Sequence, residues 1–326
     1  MLLVTGGAGF IGSNVVAALN DAGRADVAVC DVLGHDGKWK NLAKRQLADV
    51  VPPGELMGWL QGRRLDAIIH MGAISETTAT DGDLVIETNF RLSMRLLDWC
   101  TANKVPLIYA SSASTYGDGE QGFKDDQSVA ALKQLRPMNL YGWSKHLFDL
   151  AVAERAARGD QLPPQWAGLK FFNVFGPNEY HKGSMMSVLA KRFDDVKSGR
   201  VVQLFKSHRA GIEDGDQRRD FIYVDDVVRV MTWLLATPSV SGIFNVGTGH
   251  ARSFRDLILS AYAALGAKPN IEYIDMPESI RGSYQYFTES EGERLRAAGY
   301  NGGFTALEDA VAHYVKGFLD AEDRFR

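Results

Sequence analysis

Tyr141 and Lys145 are the residues of this chain whose types and spacing are best suited to chemistry. They lie four apart in the stretch Asn139-Leu-Tyr-Gly-Trp-Ser-Lys-His-Leu-Phe-Asp149, and on a helix that spacing puts both on one face, about one turn apart. A tyrosine hydroxyl titrates near pH 10 and is a poor base at neutral pH. A neighbouring ammonium favours the phenolate. Bringing the pKa to about 7 requires about 4 kcal/mol of differential stabilisation. One lysine can supply part of this, and a second cation must supply the rest. The same spacing also describes a surface tyrosine and a solvated lysine on an ordinary helix. With 11 tyrosines among 326 residues it arises by chance often, so its meaning rests on the elements upstream.

Those elements read as alternating buried strands and helices. Met1-Leu-Leu-Val-Thr5 is an apolar run too short for a helix and suited to a parallel strand. It leads into Gly6-Gly-Ala-Gly9-Phe-Ile-Gly12, and Ser13 to Leu19 has a helical pattern. A glycine-rich turn between strand and helix lets the backbone approach a pyrophosphate, and the helix start offers free N–H groups. Val27-Ala-Val-Cys30 is the next strand. It ends on Asp31, 19 residues after Gly12, where a carboxylate meets the adenosine ribose of a dinucleotide. An acid there favours NAD over NADP, whereas Lys38, Lys40 and Lys44 offer the opposite charge, so charge alone leaves the dinucleotide open. A positively charged oxidised nicotinamide would be the second cation that Tyr141 needs.

Leu65 to Ser75 reads as a strand running into a small-residue turn, with His70 a packed strand-end histidine. Val85 to Cys100 is helical and carries Asn89. Pro106-Leu-Ile-Tyr-Ala110 is a strand that delivers Ser111-Ser-Ala-Ser-Thr-Tyr116 to the ligand edge of the sheet. Ser112 is the expected hydrogen-bond partner of a reacting alcohol, although hydroxyls in such a cluster also cap turns. Gly168 to Pro177 is expected as one strand ending in a Gly-Pro turn, Met185 to Val196, Val224 to Ala236 and Phe304 to Leu319 as helices, and the charged end after Leu319 as frayed.

A net charge of -4 and 45% hydrophobic residues give no reason to expect nucleic acid and fit a soluble globular chain. Cys30 and Cys100 sit in apolar contexts and suit a reducing, cytoplasmic setting, with no metal-type Cys/His spacing. The start resembles neither a signal peptide nor a membrane span, and no repeat is visible.

Several stretches together resemble the extended short-chain dehydrogenase/reductases that act on nucleotide sugars. They are Gly6-Gly-Ala-Gly-Phe-Ile-Gly12, His70-Met-Gly-Ala73, Ala110-Ser-Ser-Ala113, Tyr141-Gly-Trp-Ser-Lys145 and Arg219-Asp-Phe-Ile-Tyr-Val-Asp-Asp226. Phe171-Phe-Asn-Val-Phe-Gly-Pro177, His181-Lys-Gly-Ser-Met185 and Gly282-Ser-Tyr-Gln-Tyr-Phe-Thr288 make the chain most similar to the ADP-heptose 6-epimerase branch. The resemblance runs from the first residue to about Tyr314.

The resemblance implies a Rossmann-type doubly wound parallel sheet (residues 1–172 plus about 221–250) and a smaller α/β substrate-binding domain (about 173–220 plus 251–326). It implies epimerisation at C6″ of ADP-D-glycero-D-manno-heptose by oxidation and re-reduction, within lipopolysaccharide core precursor synthesis. NADP is the expected cofactor, with NAD possible on account of Asp31 and of Pro53, which stands where family members use a second lysine. The expected catalytic residues are Tyr141, Lys182 as second acid/base, Lys145 and Ser112; which base serves which epimer stays open. The dinucleotide is expected on Gly6, Gly9, Phe10, Ile11, Gly12, Asp31, Val32, Lys38, Met71, Gly72, Ala73, Ile74, Ser75, Asn89, Lys145 and Val174. The substrate is expected on Asn173, Ser184, Lys191, Phe205, Arg219 and Tyr284. A histidine is usual where Lys191 stands, and the loop from Lys206 to Asp216 is longer than the family's. A homo-oligomer, a pentamer by resemblance, is expected. The alternatives are a 4-epimerase or 4,6-dehydratase of the same fold, or a cofactor-sensing binding protein without turnover.

Overall fold

The computed structural model describes residues 1–281 and 284–326. Its strands in chain order are β1 (Leu2–Thr5), β2 (Val27–Cys30), β3 (Asp49–Val51), β4 (Ala67–His70), β5 (Leu107–Ser112), β6 (Trp166–Phe171), β7 (Asn173–Phe175), β8 (Val202–Phe205), β9 (Arg218–Tyr223), β10 (Gly242–Val246), β11 (Ala251–Ser253) and β12 (Ile271–Ile274). The helices of eight or more residues are α1 (Phe10–Asp21), α2 (Leu92–Asn103), α3 (Leu140–Arg158), α4 (Val188–Ser198), α5 (Val224–Ala236), α6 (Phe254–Leu265) and α7 (Leu307–Tyr314).

Seven strands form one sheet in the order β10-β6-β5-β4-β1-β2-β3, and every neighbouring pair is parallel. The strands are apolar on both faces because both faces are covered. Val4, Ile69 and Leu169 pack against α1 and α5; Leu3, Ile68 and Tyr109 pack against α2 and α3 on the other side. This is the doubly wound sheet that the sequence implies. A third core, built on Phe175, Phe193, Leu204, Ile258 and Tyr314, lies among α4, α6, α7 and two small sheets, β11-β9-β7 and β12-β8.

Several boundaries differ from the sequence reading. Helix α1 starts at Phe10 rather than Ser13, so Gly12 is inside its first turn. Strand β5 runs on to Ser112, making Ser111 and Ser112 sheet residues. The stretch expected as one strand from Gly168 is two. Phe172 breaks it, donating its N–H to Val246 O at 3.1 Å, and β7 leaves the main sheet to pair with β9. The helix expected from Met185 begins at Val188, where the Ser187 side chain caps it. The segment carrying Asn89 is a π-turn, Ile86–Arg91, leading into α2. The expected helix to Leu319 is α7 followed by a π-turn, Val315–Leu319. The chain after it is pinned, not frayed: Phe325 packs edge-on against Tyr180 at 5.4 Å, and Arg326 N–H donates to Asn178 Oδ1 at 3.0 Å.

Candidate active site

The strand order reverses between β1 and β4, and a sheet of this kind opens a crevice outside its carboxyl edge at that point. The loops leaving the two strands touch there. A Cβ on Gly6 would come within 2.6 Å of Gly72 N, and Gly6 has φ +64°, a conformation that favours glycine. A Cβ on Gly12 would lie 2.2 Å from Gly6 O, so the turn closes this tightly only with glycine at both places. The helices starting at Leu140, Val188 and Phe254 have side-chain caps. Helix α1 has none, which leaves first-turn amides and the positive end of the helix dipole for an anion.

A cleft of about 500 Å³ opens here. Of the residues expected to act on a cofactor or substrate, Gly6, Gly9, Phe10, Ile11, Gly12, Asp31, Lys38, Met71, Gly72, Ala73, Ser75, Ser112, Tyr141, Lys145, Asn173, Val174, Lys182, Ser184 and Lys191 line it. Elements far apart in sequence therefore converge: the glycine turn, the ends of β4 and β5, α3, β7 and the loop before α4. Four lysines against one aspartate give the cleft a cationic lining in a chain whose net charge is -4, as an anionic ligand requires.

Three expected dinucleotide contacts lie elsewhere. Val32 points outward at 64% exposure. Asn89 is fully buried, and its amide accepts from Ile74 N–H at 2.8 Å and donates to Ile74 O at 2.9 Å and Ser144 Oγ at 3.0 Å. Asn89 and Ile74 thus brace the loop after β4 from behind, and neither lines the cleft. His70, as expected, is packed: its ring meets Thr5 Oγ1 at 2.6 Å and Ser93 Oγ at 2.8 Å. Burial, with help from Lys145, lowers its pKa to about 3.

Asp31 is more engaged than a lone ribose acceptor would be. It accepts from Ala8 N–H at 2.8 Å and Val32 N–H at 2.8 Å, and pairs with Lys38 Nζ at 2.6 Å. Lys38 thereby offsets the charge that would repel a 2′-phosphate. Lys44 turns away to Asp323 at 2.5 Å.

At the reacting end, Ser112 Oγ accepts from Ser114 N–H at 3.1 Å, so it caps a turn and also lines the cleft. Tyr141 is one helical turn from Lys145, yet burial raises its phenol above the ordinary value; the Ser112 hydroxyl facing it pulls the other way and Asp149 adds to the rise. The expectation that Lys145 acidifies Tyr141 is not met by this arrangement of side chains alone. Lys145 is 3% exposed, burial pushes its pKa down to about 8 against the pull of Asp149, and it makes no hydrogen bond or ion pair among the described residues. A buried ammonium without a partner fits a ribose hydroxyl, and together with the glycine turn it fits a dinucleotide.

Lys182 sits on the 3-10 turn Tyr180–Met185, its ammonium 5.3 Å from the centre of the Phe10 ring. Burial lowers its pKa, with Glu179 opposing. Glu179 anchors this turn: it is buried and accepts from Ser187 N–H at 2.5 Å and Ser187 Oγ at 2.8 Å. Lys191 Nζ donates to Ser184 O at 3.1 Å, tying two expected substrate contacts together. His181 also lines the cleft. It belongs to a motif visible in the sequence, but nothing there marked it as facing inward.

Arg219, Tyr284 and Phe205 form a separate cluster that reaches the cleft through Phe254. The Arg219 guanidinium stacks on Tyr284 at 5.1 Å and Phe254 at 5.6 Å, and the Tyr284 and Phe205 rings are 6.5 Å apart. Asp220 is not its ion-pair partner, because that carboxylate is filled by Thr248, Gly249 and Ser290 N–H groups at 2.7–2.9 Å. Gly282 and Ser283 of the motif around Tyr284 lie outside the described residues.

A model of the NAD dependent epimerase/dehydratase family matches residues 2–247. The ADP-L-glycero-D-manno-heptose-6-epimerase of Nitratidesulfovibrio vulgaris strain DP4 is 49% identical over 329 residues, covering 100% of both chains. In structure, the chain is similar to Helicobacter pylori ADP-L-glycero-D-manno-heptose-6-epimerase (TM-score 0.79, 28% identity, 97% of this chain and 95% of that one). It is also similar to Thermus thermophilus UDP-glucose 4-epimerase in complex with NAD (TM-score 0.72, 26% identity, 97% and 99%).

Proposed function

We propose that this chain, which belongs to the NAD dependent epimerase/dehydratase family, interconverts ADP-D-glycero-D-manno-heptose and ADP-L-glycero-D-manno-heptose at C6″. The observation that carries this reading is the meeting of two half-buried groups able to hold or release a proton, Tyr141 and Lys182, on one cleft. An epimerase handles its substrate carbon in two orientations and needs a proton partner for each. The full-length likeness to a named heptose epimerase supports the choice of sugar.

The glycine turn and the first amides of α1 would hold the pyrophosphate of a nicotinamide dinucleotide, Asp31 and Lys38 its adenosine end, and Lys145 the ribose beside the nicotinamide. Such a cofactor would supply reversible hydride transfer at C6″ and a positive charge beside Tyr141 that favours its phenolate. We assign Tyr141 the removal of the hydroxyl proton in one half-reaction and Lys182 the matching proton in the other, with Ser112 holding the reacting oxygen. Arg219 is assigned to the diphosphate, for which a guanidinium fork is suited. Asn173, Ser184, Lys191, Phe205 and Tyr284 are assigned to the rest of the substrate. Residues 1–172 with about 221–250 form the dinucleotide unit in this reading, and about 173–220 with 251–326 the substrate unit.

We take the cofactor to be NADP, because the Lys38 ion pair offsets Asp31, with NAD the alternative. The mass of the dinucleotide released on denaturation decides between them. A homo-oligomer, a cytoplasmic setting and a place in lipopolysaccharide heptose synthesis belong to the same reading. Among the described residues, no helix is long and apolar enough to cross a membrane.

The test is incubation with ADP-D-glycero-D-manno-heptose beside UDP- and dTDP-hexoses, with products followed by NMR. Conversion of the heptose alone is expected; conversion of a hexose instead would select a 4-epimerase or dehydratase. Tyr141→Phe is expected to lower kcat by about 10²–10⁴-fold while dinucleotide binding, measured by calorimetry, stays within twofold.

A further inference from the structure

Tyr141, Lys145 and Asp149 are spaced i, i+4, i+8 on α3, so one helix stripe runs from the cleft into the protein. Asp149 closes that stripe in a fully buried polar cluster. Its Oδ2 accepts from Ser111 Oγ at 2.6 Å and pairs with Lys170 Nζ at 2.9 Å, with side-chain exposures of 1% for Lys170 and 0% for Asp149. Lys170 also donates to Thr115 Oγ1 at 2.6 Å and lies 4.9 Å from the centre of the Tyr116 ring. Thus the third turn of α3 is tied to β5 beside Ser112, to the turn after it, and to β6. A buried ion pair is costly to assemble and, as a source of stability alone, replaceable by apolar residues.

We propose that Asp149 and Lys170 are positioning residues for the Tyr141–Lys145 pair, fixing α3 against the end of β5 and setting the charge that faces the lysine from inside. The proposal rests on the assignment of Tyr141 and Lys145 above. Asp149 acts on both in the same sense, favouring the protonated lysine and the protonated phenol. The other ionisable groups around the cluster are Lys170 on β6, Tyr109 on β5, Tyr116 after it, His70 on β4, His146 on α3 and Arg136 before it. Burial leaves both tyrosines protonated and keeps His70 neutral. Asp149 and Lys170 are therefore the built-in charges behind the pair.

The test replaces both partners, Asp149→Asn with Lys170→Met, because removing one alone leaves the other charge buried and uncompensated. Asp149, unlike Lys170, acts directly on both groups of the pair. Although losing the Lys170 ammonium offsets part of the effect, the lysine loses its proton more readily in the double variant and so does the phenol. Both limbs of the kcat–pH profile are expected to move to lower pH by about one unit, a tenfold change in either protonation equilibrium, with KM for the nucleotide sugar within twofold. The pH above which dinucleotide affinity falls, read by calorimetry, should move in the same direction. Ser111→Ala, which keeps the ion pair and removes one tie to β5, is expected to lower kcat about threefold at constant KM. A folded double variant with an unmoved pH profile, or Ser111→Ala with unchanged kcat, overturns the proposal. Retention of turnover by Tyr141→Phe would instead strike the underlying assignment, so the two failures are separable.

Discussion

Lys182 is the residue whose reading changes most between sequence and structure. On a glycine-flanked loop it has the features of an ordinary solvated lysine, and only resemblance gave it a role. The fold places it over the Phe10 ring and on the same cleft as Tyr141, where burial favours its neutral form. A lysine so placed exchanges protons nearer neutrality than a solvated one. Lys182→Met is expected to lower kcat by about 10²-fold or more while dinucleotide affinity is retained, with product formation by NMR and binding by calorimetry as the measurements. Asn89 moved the opposite way: an amide expected at the cofactor holds the loop from behind, because its helix turns it into the core. No local pattern distinguishes an amide that touches a ligand from one that aims the ligand's loop.

At the level of elements, legibility followed local physics. The strand, glycine turn and helix of the first 21 residues were readable because each glycine answers a steric demand and each strand is a continuous apolar run. The passage from β6 to β7 was not, since Phe172 continues the apolar pattern and the break comes from β7 pairing with β9, Asn173 opposite Phe221. The charged stretch 320–326 likewise read as loose because its partners are distant. Tyr180 OH donates to Arg324 O at 2.8 Å, and Phe325 covers the Tyr180 ring, two residues before Lys182. Phe325→Ala is expected to destabilise the protein by about 1 kcal/mol from the lost aromatic pair, seen in urea titration. It should also lower kcat more than it raises KM, since the lysine turn is what it steadies.

For the molecule as a whole, composition and alternation were enough to give the sheet, and the family resemblance implied a division into a dinucleotide part and a substrate part. Neither could give the seam. The main sheet's cores contain Ile222, whereas the smaller unit's core contains Phe221 and Tyr223. Successive side chains of a strand face opposite ways, so β9 contributes to both interiors at once. Cys30 and Cys100 are buried within the larger unit, and burial pushes both thiols up to about 12, which leaves them inert at neutral pH.

That shared strand has a thermodynamic consequence. Melting either interior strips β9 of the apolar contacts on one of its faces, so the two interiors are expected to unfold together. Scanning calorimetry of the full chain is expected to give one endotherm whose van't Hoff and calorimetric enthalpies agree, and two resolved peaks would show that β9 does not couple the units.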